Sequence, residues 1–263
     1  MTQQSRMAFN NDPATYTDAR PGYPDELYAL LAERCGLAAG ARVLEIGPGT
    51  GQASQRLLAE GAHVTAVEPG EQLAAVLSQR FPTERLEVIV ADFEDADLTG
   101  PFDLAVAATS FHWVNLGRSM PELARLIPPG GWLCIWWNVF QDPFKPTAFR
   151  DALDQLYADV LPDLKRPSGG LPDRLQPESW TRDLEAGGWF GPVETKFLSW
   201  DNPLTPQRAR ELWSTFSNII NLDAERRSRF LDGLEAIVRD RFGGLVQDPC
   251  VTAVYLAPRT GHS

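Results

Sequence analysis

Cysteine and histidine are scarce, with three of each in 263 residues. Cys35, Cys134 and Cys250 are far apart, odd in number and without a CxxC step, which argues against a disulfide framework or a zinc site. His63, His112 and His262 make no HxxxH-type cluster, so a transition-metal centre is not expected. Long apolar runs are missing too. No stretch reaches the about 18 apolar residues of a membrane span, and the opening MTQQSRMAFNNDPATY has no apolar segment resembling a signal peptide. Basic residues are outnumbered, 24 Lys and Arg against 35 Asp and Glu, for a net charge of −11. Such a surface offers no electrostatic footprint for nucleic acid or anionic lipid and says nothing against small ligands. The expectation is a cytoplasmic protein of a reducing compartment, monomer or homodimer.

What is present is an ordinary globular composition, 43% hydrophobic, which is enough for one large domain with a real core. Pro24 to Cys35 has helical spacing and stops at Gly36. Arg42 to Ile46 (RVLEI) reads as a strand, Gln52 to Glu60 as a helix, His63 to Val67 as a strand and Glu71 to Phe81 as a helix. Leu86 to Val90 and Phe102 to Ala107 are further strands; Arg118 to Ile127 is helical, and Trp132 to Trp137 (WLCIWW) is a fifth strand. This alternation means βαβ units and a parallel sheet covered on both faces. Right-handed crossovers then gather the loops after the strands at one edge of the sheet.

Beyond Asn138 helical segments dominate: Pro146 to Val160, Glu178 to Ala186, Pro206 to Asn218 and Asp223 to Arg241. Val193 to Trp200 and Cys250 to Leu256 read as two more strands, giving seven in all. The helical pieces at 142–176 and 204–242 are expected to be lid insertions in a single domain spanning 1–263, with 1–35 as an N-terminal cap and 36–138 as the ligand-binding core. Phe140, Phe144, Trp213 and Phe216 are candidates to line the lid or to pack ordinary amphipathic helices.

The unusual residues fall at strand ends. Glu45-Ile46-Gly47-Pro48-Gly49-Thr50-Gly51 places a carboxylate and alternate glycines at a strand-to-helix turn, where missing Cβ atoms let the backbone approach a ligand. A dinucleotide fingerprint needs a third glycine where Gln52 stands, which disfavours a nicotinamide oxidoreductase, as does the absence of a Tyr-x-x-x-Lys pair. Glu68 closes the second strand about twenty residues on, where an acid can accept both hydroxyls of a ribose. Asp92-Phe93 closes the third strand; Asp95 and Asp97 beyond it read as solvated charges.

The ExGxGxG spacing resembles motif I of the class I S-adenosylmethionine-dependent methyltransferases. The stretch Leu-x-x-Leu-x-Arg-x-Ile-Pro-Pro-Gly-Gly before the fifth strand and the opening Tyr16-x3-Arg20-Pro21-x-Tyr23-Pro24 resemble the type-11 group, trans-aconitate methyltransferase-like proteins among them. The resemblance implies a Rossmann-like sheet of seven strands, mostly parallel, in an α/β fold with helical lid insertions. It further implies that S-adenosyl-L-methionine is the cofactor and a small molecule the acceptor, while the acidic charge and the lack of long apolar runs argue for no nucleic-acid or membrane partner. Gly47, Gly49, Gly51, Glu68, Pro69 and Thr109 would line the cofactor, Glu45 would meet its methionine ammonium, and Asp92 with Phe93 its adenine. Tyr16 and Arg20 would fold over its methionine end.

After the fourth strand the chain reads Ser110-Phe111-His112-Trp113, similar to the polar-residue-then-Trp step of several carboxyl methyltransferases, many of which carry Gln where His112 stands. His112 and Trp113 are therefore the candidate catalytic pair. An imidazole N–H and an indole N–H suit a carboxylate, which needs no base; with a phenol the same histidine could take the proton. Methylation of a phenolic or other natural-product-like acceptor, and a non-catalytic cofactor-binding protein, are the alternatives.

Overall fold

The computed structural model describes residues 19–164 and 171–261. Seven strands form one sheet in the order β3-β2-β1-β4-β5-β7-β6. They are β1 Arg42–Ile46, β2 His63–Val67, β3 Leu86–Ile89, β4 Leu104–Ala108, β5 Trp132–Phe140, β6 Glu194–Leu204 and β7 Val246–Pro258. The four pairings that join β1 through β5 are all parallel. β1 lies at the centre of these, with Glu45 opposite Ala66 on one side and Val106 on the other.

Chain order along the sheet reverses between β1 and β4. The chain runs outward through β2 and β3 on one side, then returns to lay down β4 and β5 on the other. In a parallel sheet the crossover loops diverge at such a point and leave a crevice beyond the carboxyl ends of the two strands. The glycine-rich loop after β1 and the Thr109-Ser110 step after β4 both sit there.

The described chain divides into two compact units. One comprises Gly22–Asn138, Asp173–Leu198 and Thr252–Ser263. It contains β1 to β4 and the helices α1 Asp25–Cys35, α2 Ser54–Ala59, α3 Glu71–Arg80 and α4 Leu116–Leu126. α1 starts after Pro24 with Asp25 and Glu26 in its first turn and ends on Gly36 in the left-handed region, φ 73°, a conformation cheap only for glycine. The core of this unit packs Leu27, Leu31, Val43, Leu57, Val106, Trp136 and Val254 together.

The other unit takes in the described part of Met1–Pro21 with Val139–Pro172 and Ser199–Val251. Its helices are α5 Ala148–Val160, then, after α6 Pro177–Glu185 of the first unit, α7 Pro206–Ser214, α8 Ser217–Ile220 and α9 Ala224–Ala236. Thr147, Thr205 and Asp223 cap α5, α7 and α9 through side-chain oxygens that accept from a backbone N–H three residues on. The unit has its own core, in which Phe149, Leu153, Leu212, Trp213, Phe230 and Val238 meet. The expected helix over 206–218 is broken at Thr215-Phe216, and the one over 223–241 ends as a wider π turn at Ile237–Arg241. Among the described residues no helix is long and apolar enough to cross a membrane, and none group into a metal site.

Candidate active site

Glu45 is the last inward residue but one of β1 and is wholly buried. The Ser54 hydroxyl, at the start of α2, donates to its Oε2 at 2.6 Å, while Oε1 is buried with no hydrogen-bond partner. Burial pushes the Glu45 carboxyl up to about 7; the Ser54 bond pulls against this and the neighbouring Glu68 charge adds to it. A buried carboxylate with one oxygen unmet is costly unless a cation or donor completes it.

The turn above it depends on glycine. Gly47 has φ 64° and a Cβ there would stand 2.6 Å from the Ser110 Cβ, so the loops after β1 and β4 touch at this point. The Ser110 hydroxyl closes the contact by donating to the Ile46 carbonyl. Gly51, φ 91°, is packed against Leu77 and Phe81 of the α3 region as closely. Glu68, nearly buried after β2, braces the loop: its Oε2 accepts from the Gly49 N–H and its Oε1 from the Gly70 N–H, each at 2.9 Å. Half-buried Pro69 holds the chain between the two anchors.

Asp92 is half-buried beyond β3, at the mouth of a short turn, Phe93–Asp95, whose Phe93 is buried. Asp95 and Asp97 are exposed, and Asp95 pairs with Arg118 at 2.7 Å, in keeping with loop charges. Thr109 follows β4 directly, at φ 64°. For a β-branched residue that conformation is strained and persists only where neighbours enforce it. Here its N–H donates to the Trp136 carbonyl at 2.7 Å and its hydroxyl shares a hydrogen bond with the Tyr23 hydroxyl at 3.1 Å.

The turn Phe111–Trp113 follows directly. Phe111 is buried and roots it in the core; His112 and Trp113 are half-buried, their rings 4.7 Å apart. Trp137 of β5 donates its indole N–H to His112 Nδ1 at 3.3 Å. Nδ1 is thereby an acceptor, so in the neutral ring the proton sits on Nε2. The ring stays neutral because burial holds its value down to about 4, with the Arg174 charge acting in the same direction.

Of the residues expected at the site, Glu45 lies at the end of β1, and Gly47, Gly49, Gly51, Glu68, Pro69, Asp92, Phe93, Thr109, His112 and Trp113 lie on the loops and turns that follow β1, β2, β3 and β4 in the Gly22–Asn138 segment. Tyr16 lies outside the described residues. Arg20 belongs to the other unit, where its guanidinium donates to the Thr215 carbonyl at 3.1 Å and stacks 4.7 Å above the Phe216 ring. Four contributors were not singled out from the sequence: Ser54, Ser110, Tyr23 as a partner of Thr109, and Trp137 as a partner of His112. Each acts through one contact made across the fold, which no local pattern encodes.

The donor set matches the cofactor the sequence motifs imply. An unmet buried carboxylate oxygen on Glu45 suits an ammonium, and the Glu68 carboxylate stands where the family's ribose-binding acid is expected.

Comparison with known proteins agrees. A methyltransferase-domain family model matches residues 44–135. A methyltransferase of uncharacterized reaction from Mycobacterium tuberculosis is 29% identical over 234 residues, covering 88% of this chain and 86% of the relative. Another, from Staphylococcus carnosus, is 32% identical over 160 residues, 59% of this chain and 73% of the relative. A solved structure from Anaeromyxobacter dehalogenans, provisionally named a type II methyltransferase, superposes with a TM-score of 0.65 at 26% identity, covering 92% of this chain and 99% of that one.

Proposed function

Because this chain belongs to the S-adenosylmethionine-dependent methyltransferases of the type-11 group, we propose that it methylates a small-molecule carboxylate on oxygen. When bound, the cofactor supplies a methyl group on a positively charged sulfur, open to in-line attack. The protein's task is then to hold and orient both partners and to keep water out.

Glu45 would take the ammonium of the methionine end, Glu68 the ribose hydroxyls and Asp92 with Phe93 the adenine, over the floor made by Gly47, Gly49 and Gly51. Bringing an ammonium beside Glu45 favours its ionised form, so the carboxyl gives up its proton as the ligand binds. Pro69 and Thr109 shape the loops on either side.

The observation that carries the acceptor reading is the Trp137-to-His112 hydrogen bond, which makes Nε2–H the donor of a neutral imidazole. His112 and Trp113 then present two N–H donors and no strong base. A carboxylate is ionised at neutral pH and needs only to be held. A phenol, with an ordinary value near 10, would need a base far stronger than an imidazole held to about 4. The structure therefore favours an acceptor that arrives as an anion.

The test is a panel of carboxylic acids, phenols and amines incubated with methyl-labelled cofactor, followed by mild base. Label released by base identifies methyl esters and supports the reading. Base-stable label on a phenol or amine overturns it. His112→Ala should lower kcat/KM by about tenfold or more, the worth of one hydrogen bond to a charged group.

A further inference from the structure

Among the described residues only two that are not glycine sit at positive φ, and one of them, Thr109, stands at the crevice between β1 and β4. A β-branched side chain is least at home in that conformation, so its neighbours must hold it there. The hold comes from the segment just before α1. The Tyr23 hydroxyl shares a hydrogen bond with Thr109 Oγ1 at 3.1 Å, and the Tyr23 ring packs edge-on against Trp136 at 5.7 Å. Trp136 in turn accepts the Thr109 N–H on its carbonyl at 2.7 Å. One residue before Tyr23, the Gly22 carbonyl accepts from Asn138 Nδ2 of β5 at 3.0 Å. The Thr252 hydroxyl of β7 donates to Asn138 Oδ1 at 2.7 Å, which fixes the end of that amide that faces Gly22. Two strands thus set Gly22-Tyr23 in place, and from there Tyr23 reaches Thr109.

The left-handed residue also has a consequence for the crevice. It breaks the extended backbone of β4 and turns the chain. Ser110 then donates its hydroxyl to the Ile46 carbonyl and lies so close to Gly47 that no Cβ fits between them. One backbone step therefore decides whether the loop after β4 closes on the glycine turn.

We propose that Tyr23 is a positioning residue for the cofactor: its hydroxyl holds Thr109 in the left-handed conformation that joins the loop after β4 to the glycine turn after β1. The inference rests on the assignment of this crevice to the cofactor and adds a residue that acts through Thr109. Left-handed backbone is uphill for threonine, and a single hydrogen bond is of the size that offsets it. Without that bond the ligand-free chain divides between the left-handed conformation and relaxed ones. The apparent Kd of the cofactor then rises by the inverse of the fraction still in the binding conformation. Glycine at position 109 would escape this dependence, because it enters the left-handed region without a Cβ to clash.

The test is a double-mutant cycle on the full chain, with the demethylated product cofactor as probe and Kd read by calorimetry. Tyr23→Phe keeps the ring against Trp136 and removes only the hydroxyl. It should raise Kd about fivefold, the worth of one neutral hydrogen bond. In a Thr109→Gly background the same substitution should change Kd by less than about twofold. In ligand-free Tyr23→Phe the NMR backbone shifts of Thr109 should leave their parent values, then return when the cofactor is added. A merely structural role for Tyr23 would not give that recovery. An equal effect of Tyr23→Phe in both backgrounds means that the hydroxyl acts on the ligand or on the fold at large, and overturns the proposal. An unchanged Kd in Tyr23→Phe, with the parent binding normally, overturns it too and leaves the cofactor assignment of the crevice standing. A parent that binds no cofactor removes the assignment and the proposal together.

Discussion

Adding one methyl group at Gly47 should be among the most damaging small changes available to this protein. Gly47 sits at φ 64°, and alanine there takes on left-handed strain of roughly 1–2 kcal/mol. The new Cβ would also meet the Ser110 Cβ at 2.6 Å and Oγ at 3.1 Å, so Ser110 must move. Moving it breaks the bond from its hydroxyl to the Ile46 carbonyl, worth about 1 kcal/mol net. The sum, about 2–3 kcal/mol, corresponds to a fall in Tm of roughly 5–10 °C for a chain of this size. Thermal unfolding followed by circular dichroism measures it. The reasoning also names the atom at fault, which a second substitution can remove. Ser110→Gly alone should cost about 1 kcal/mol through its lost hydrogen bond. In the Gly47→Ala background it should cost nothing more, because it clears the clash and the bond is already broken. If the two losses instead add in full, the loops after β1 and β4 do not meet as described. Cofactor affinity should follow the same pattern, since the contact joins the two sides of the crevice.

Glu68→Ala should weaken binding of the cofactor by about ten- to a hundredfold in calorimetry, because it removes a charged acceptor and unbraces Gly49 and Gly70 together. Trp137→Phe keeps the packing against Trp180 and Tyr255 but frees His112 Nδ1; kcat/KM should fall while the cofactor Kd holds, and a nitrogen NMR spectrum of the ring should show mixed tautomers. Glu45 predicts a pH slope. Its folded value, about 7, lies above the unfolded value of 4.5, so between them the unfolded chain loses its proton first. The stabilisation is therefore full below about pH 4.5 and is lost as pH rises toward 7. Comparing urea unfolding of the parent and Glu45→Gln across that range should show this extra slope in the parent only.

Much of this architecture can be read from local sequence. The strands before Asn138 announce themselves because a sheet covered on both faces needs unbroken apolar runs, as in Val43-Leu44 or Leu133 to Trp137. The glycine turn after β1 is visible because only glycine is cheap at φ 64° and 91°. Glu68 and Asp92 stand out as acids closing apolar strands. The later strands are longer than their apolar cores suggest: β5 runs to Phe140, β6 to Leu204 and β7 from Val246. There Asn138, Asn202 and Asp248 interrupt the pattern yet lie within the strands, and Pro203 is accommodated on β6 at the end of the sheet order.

The sequence by itself thus determined the fold class and the glycine turn after β1, because each follows from periodicity or backbone freedom within a few residues, while the His112-Trp113 step stood out only by its resemblance to a family motif. Tertiary structure decided the rest. It alone placed β7 between β5 and β6, set Ser54 against Glu45 and Ser110 against Gly47, and brought Trp137 to His112. It also gave the His112 ring its indole partner on Nδ1 and its low basicity, since both depend on which indole reaches the ring and how little water remains around it, and neither is encoded near residue 112.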